Sequence, residues 1–106
     1  PARGRQIIIE DNLHFAILEK NPLNRGEMHI YPKRNYKSFF DAYPEEKNSL
    51  LEMISRVKAY LDQEYKPDRY EIGFTEGDIE IGKKEFFYVY VIPGYKEFKS
   101  TQIGSK

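Results

Sequence analysis

The chain alternates between short apolar runs and breaker clusters, and that rhythm predicts its elements. Ile7 to Ile9 stand between two polar residues and predict a strand over Gln6 to Glu10. Asp11-Asn12 is a turn signal, and Leu13 to Glu19 is a second apolar run, so the two runs form a hairpin. Asn21-Pro22-Leu23-Asn24-Arg25-Gly26 breaks the pattern. Met28 to Pro32 is a third strand, which Lys33-Arg34-Asn35 leaves.

The period then changes from two to near 3.6. Ser38 to Ala42 fits one helical turn. Pro44 suits a first helical position, with Glu45 and Glu46 at the positive end of the helix dipole. Leu50, Ile54, Val57 and Leu61 fall at i, i+4, i+7 and i+11, with Met53 and Tyr60 beside them. This is the apolar stripe of a long helix ending near Tyr65, before Pro67. Arg69 to Thr75 alternates as a strand, with Tyr70, Ile72 and Phe74 on one face. Glu76-Gly77-Asp78 turns. A loop rich in Gly, Lys and Glu leads to the most apolar strand, Phe86 to Ile92, closed by Pro93-Gly94. Clustered strands and one helix predict an α+β fold with a mostly antiparallel five-stranded sheet, one long helix and a short helical turn. We expect a single domain over residues 1–95 and a polar C-terminal tail over 96–106.

Composition narrows the function. A chain of 106 residues is enough for one domain. It contains no cysteine, which removes thiolate metal sites, disulfides and cysteine nucleophiles. Lys+Arg and Asp+Glu both number 17, and zero net charge argues against counterion-driven nucleic-acid binding. Apolar runs are far shorter than the ~20 residues that span a bilayer. No basic segment followed by an apolar one opens the chain, and Pro1 in place of Met suggests processing. A cytoplasmic protein is expected.

The chemical inventory is thin. His14 and His29 fall in successive strands and read as half-buried strand residues. A two-histidine metal site would need them paired with a carboxylate such as Glu19 or Glu27, and the spacing shows no such pattern, so no metal and no cofactor is expected. Gly77 and Gly82 flank a loop without a phosphate-binding glycine motif. Lys83-Lys84-Glu85 reads as a solvated loop, with phosphate cradling as its functional alternative. In Phe86-Phe87-Tyr88-Val89-Tyr90-Val91-Ile92-Pro93, Phe87, Val89 and Val91 share a core face. Phe86, Tyr88 and Tyr90 share the other, where they either pack on a neighbour or line a cleft.

That strand resembles one of the histidine triad (HIT) family, which reads His-φ-His-φ-His-φ-φ and often ends in Pro. Upstream, Pro22-Leu23-Asn24-Arg25-Gly26-Glu27-Met28-His29-Ile30-Tyr31-Pro32-Lys33-Arg34-Asn35 is similar to the family's Pro-x-x-x-Gly-His-x-Leu-φ-φ-Pro-Lys-Arg-His. Thr75-Glu76-Gly77 looks like its Asn-x-Gly. The resemblance covers residues 6 to 94 and implies a HIT-like fold.

The departures fall on the chemistry. In the family, the middle histidine of the strand attacks an α-phosphate to form a covalent nucleotidyl intermediate. Tyr88 matches that position. Phe86 and Tyr90 match the flanking histidines, and Glu27 matches the upstream one, so all four imidazoles are missing. Glu19 matches the acidic residue used on the ribose hydroxyls. Thr75 matches the asparagine near the active strand, and Gly82-Lys83 looks like a Gly-Gln pair. An imidazole titrates near ~6.5 and is a neutral nucleophile at pH 7. A tyrosine hydroxyl, with a pKa near ~10, needs a base, and the sequence shows none beside Tyr88. The resemblance thus implies a catalytically degenerate domain binding a nucleotide or similar small ligand through Glu19, Thr75, Gly77, Lys83, Tyr88 and Tyr90. One alternative is a structural module acting as a homodimer, as family members commonly do. Another is a divergent nucleotide hydrolase or transferase that uses tyrosine.

Overall fold

The computed structural model describes residues 6–77 and 86–96. The expected elements are present, mostly shortened by a residue or two: β1 (Ile7–Glu10), β2 (His14–Leu18), β3 (Met28–Pro32), α1 (Pro44–Glu64), β4 (Arg69–Gly73) and β5 (Val89–Gly94). A 3-10 turn at Phe39–Asp41 replaces the expected helical turn, with the Ser38 hydroxyl accepting from the Phe40 N–H. β5 begins three residues later than the apolar run and continues through Pro93. The Gly-Lys loop and the C-terminal tail beyond Lys96 lie outside the described residues.

The strands form one antiparallel sheet in the order β1-β2-β3-β5-β4. Helix α1 covers one face. Its stripe buries Leu50, Met53, Val57 and Leu61 against Ala16, Met28, Ile30, Val89 and Val91, while Ile54 and Tyr60 stay partly buried at the margin. A helix alone in water is marginal, so this apolar seam is what holds α1 in place.

The helix start is built by side chains of both signs. Glu46 is buried, and its Oε1 accepts from the Tyr43 N–H at 2.7 Å. Arg34, delivered by the segment after β3, donates to both Glu46 oxygens at 2.9 and 2.8 Å. That fork holds the Glu46 carboxyl below its usual range, against burial, with the Tyr43 N–H adding to it. At the other end, Gly26 takes φ +93, and a Cβ there would meet Tyr65 at 3.1 Å and Pro93 at 3.2 Å. Asn24 donates to the Pro93 carbonyl at 2.8 Å. The loop before β3, the helix end and the end of β5 are thus fastened together.

His14 is wholly buried rather than half-buried. Its Nδ1 lies 2.9 Å from Ser49 Oγ, and Ser49 donates to Asp11 Oδ2 at 3.1 Å. Asp11 also accepts from the N–H groups of Leu13 and His14, so it closes the β1–β2 turn. Serine, histidine and aspartate do meet here, but the serine lies between the other two. Its proton goes to the carboxylate, so the imidazole cannot activate it as a nucleophile.

Two outcomes follow. Leu61→Ala or Met53→Ala, each at a fully buried position, lowers unfolding free energy in urea by about 2–5 kcal/mol. Burial pushes the His14 pKa below its ordinary 6.5, although Asp11 and Glu46 pull it upward. The unfolded chain therefore binds this proton first, and stability falls as pH drops below 6.5. Urea midpoints measured from neutral pH downward should show that loss, and His14→Leu should flatten it in the same window.

Candidate functional site

The face of the sheet turned away from α1 carries the candidate site. Side chains alternate along each strand, so the register sets the neighbours. Phe15 lies opposite Tyr31, Ile17 opposite His29, and His29 opposite Tyr90. On the edge, Glu71 lies opposite Ile92 and Gly73 opposite Tyr90. Tyr90 crosses that edge strand closely: a Cβ on Gly73 would lie 2.8 Å from the tyrosine hydroxyl.

At the centre is His29, an imidazole expected only as a half-buried strand residue. His29 is only 9% exposed and sits between two carboxylates. Its Nε2 is 2.6 Å from Glu27 Oε2, and its Nδ1 is 3.1 Å from Glu19 Oε2. The other Glu27 oxygen accepts from the Leu23 N–H at 2.7 Å. Glu19 and Glu27 are joined by backbone as well, the Glu19 N–H donating to the Glu27 carbonyl at 2.9 Å. Alternation places an odd-numbered residue of β3 on this face, and that signal was readable. What the sequence did not show is that the turn over Asn21 to Gly26 folds Glu27 back to within reach of a residue two positions away.

Aromatic rings extend from this centre. His29 and Tyr88 have centroids 4.8 Å apart, Tyr88 and Tyr31 stack at 5.4 Å, and Tyr31 and Phe15 stack at 5.5 Å. The ladder spans β2, β3 and the entry to β5. It leaves a cavity at each end. One, of about 230 Å³, is mainly apolar, with Phe15, Tyr31, Pro32, Phe86 and Phe87 in its walls and Lys33 and Asn35 at its mouth. The other, of about 250 Å³, lies over Glu27, His29, Tyr88 and Tyr90, with Glu71, Leu23 and Ile92 around it.

The expected site residues divide accordingly. Glu19, Glu27, Tyr88 and Tyr90 come together on this face. Phe86 is 54% exposed and belongs to the apolar cavity. Thr75 and Gly77 are exposed beyond the end of β4, and neither lines these two cavities. Gly82, Lys83 and Lys84 lie outside the described residues. One reading needs correction: an imidazole does lie beside Tyr88. Both of its ring nitrogens face carboxylates, Nε2 toward Glu27 and Nδ1 toward Glu19. Among the described residues, no group of three or more His, Asp or Glu side chains is arranged to hold a metal ion.

The comparisons agree with this architecture. A family model described as HIT domain matches residues 3–86. No curated protein matches the chain. Among solved structures, a HIT family protein from Bacillus anthracis is similar at 20% identity and TM-score 0.77, covering 94% of this chain and 76% of that one. A Hit-like protein from Bartonella henselae, described as involved in cell-cycle regulation and solved with an unknown ligand, gives 14% identity and TM-score 0.77, covering 90% and 71%. A hypothetical histidine triad nucleotide-binding protein from Sulfolobus tokodaii gives 23% identity and TM-score 0.72, covering 90% and 69%. At these identities the likeness is one of fold.

The buried charges make a test of the site's construction. His29→Leu strips both carboxylates of their common partner and costs about 3–5 kcal/mol of stability. Adding Glu27→Leu to it costs less than the sum of the two single changes, because the orphaned charge is then removed. A thermodynamic cycle from urea unfolding of the four proteins measures this coupling.

Proposed function

Because the chain belongs to the HIT domain family, we propose that it is a member keeping the fold but not the triad chemistry: a catalytically degenerate domain that binds a nucleotide or similar small ligand. The observation that carries this reading is the exchange at the centre of the open face. The motif resemblance sets Phe86, Tyr88, Tyr90 and Glu27 at the positions of the family's imidazoles, and none of them is a histidine. The imidazole present comes from β3 instead and is held between two carboxylates.

Phosphoryl transfer needs a nucleophile and a positive environment for the developing charge. Glu27 offers a carboxylate where the family has a histidine, and like charge repels a phosphate there. Tyr88 packs against His29 and Tyr31, and a phenol hydroxyl with a pKa near ~10 is a poorer nucleophile at pH 7 than an imidazole. What remains suits binding: stacked rings, two cavities and carboxylates for hydroxyl or amino groups.

The purified chain is therefore expected to show no turnover of nucleoside phosphoramidates or dinucleotides above a buffer blank. Calorimetric titration with a panel of nucleosides, nucleotides and small amines is expected to show binding. Silence across the whole panel overturns the ligand-binding reading, and turnover abolished by Tyr88→Phe overturns the degenerate one.

A further inference from the structure

Within the small-ligand reading, on which this inference rests, we propose that the cavity over Glu27 and Tyr90 takes an organic ammonium ion: a cationic amine or a quaternary ammonium head. Two carboxylates, Glu27 and Glu71, line it, and among the described residues no lysine or arginine does. Glu27 is already committed to His29 and to the Leu23 N–H. Glu71 is different. It lies exposed on the edge strand and has no hydrogen-bond or ion-pair partner among the described residues.

The rest of the wall fits the same chemistry. Tyr88 and Tyr90 supply aromatic surface, and the face of an aromatic ring attracts a cation within about 6 Å of its centroid. Both rings are held in position. Tyr88 packs on His29 and Tyr31, and Tyr90 crosses Gly73 with no room for a side chain beneath it. A prearranged ring loses little entropy when a ligand arrives. Leu23 and Ile92 add apolar surface for the carbon substituents of an amine.

An anion finds little here. The imidazole turns Nε2 to Glu27 and Nδ1 to Glu19, so both ring nitrogens already face carboxylates. Arg69, two residues from Glu71 on β4, lines a separate cavity with Asn24, Tyr95 and Lys96. The charge of this wall is therefore negative, next to electron-rich rings and a strip of apolar surface, and that combination selects a weakly hydrated cation.

The test is calorimetric or NMR titration of the full chain with choline and with its neutral isostere, in which carbon replaces the quaternary nitrogen. Adenosine and adenosine monophosphate are titrated alongside. Choline is expected to bind about tenfold tighter than the isostere, and the monophosphate more weakly than adenosine. Glu71→Gln, an exposed change that spares the fold, weakens choline about threefold and leaves the isostere unchanged. Tyr90→Leu lowers choline affinity more than isostere affinity, with circular dichroism confirming that the variant is folded. Equal affinity for choline and its isostere, or tighter binding of the monophosphate than of choline, overturns the ammonium assignment while the small-ligand reading stands. Binding of adenosine without choline does the same. Silence for all four compounds overturns both.

Discussion

Two carboxylates on the open face of the sheet cannot stay buried without a partner, and the organisation of that face follows from this constraint. Glu19 and Glu27 have side chains 14% and 8% exposed. Leaving an ionised carboxylate in such surroundings uncompensated costs several kcal/mol. His29 is the compensating group. Its ring sits between the two carboxylates, and Tyr88 packs on it. Tyr31 and Phe15 continue the stack. The imidazole thus ties the centre of the face together, touching both carboxylates and Tyr88.

The backbone framework is built apart from that face. Several residues of the turns and element ends are structural. Gly26 occupies a conformation and a space closed to side chains, Arg34 neutralises Glu46 at the helix start, and the Pro93 carbonyl anchors Asn24. Lys33 pairs with Glu10 at 2.7 Å and ties the end of β3 to β1. None of these contacts uses Phe86, Tyr88, Tyr90 or Glu27. The helix-side core is equally independent, since Phe87, Val89 and Val91 alternate with Tyr88 and Tyr90 and face the other way. The helix-side core and the open face are thus separate layers of side chains on one sheet.

Two histidines show the limits of reading by periodicity. Both fall at strand positions and both were expected to be half-buried, yet both are buried with polar partners from elsewhere in the chain. Ser49, 35 positions along, meets His14 from the first turns of the helix. Glu19 and Glu27 close on His29 from either side of a turn. Burying a polar ring is tolerable only when such partners exist, and a strand pattern contains no information about them. The faces of β3 and β5 were legible, because alternation is local.

The sequence by itself determined the elements, their order and the two faces of each strand. Apolar spacing, the breaker clusters and the Gly/Pro positions are local properties that neighbouring residues enforce on one another. Only the tertiary structure decided what fills the open face. Antiparallel register brought His29 between Glu19 and Glu27, stacked Tyr88 on the ring, and set Glu71 beside Tyr90 across an edge with no room for a side chain at Gly73. Those relations join residues from separate strands. They are fixed by how the sheet closes, by the electrostatic cost of buried charge and by the volume of packed rings, none of which is written in any single stretch of the chain.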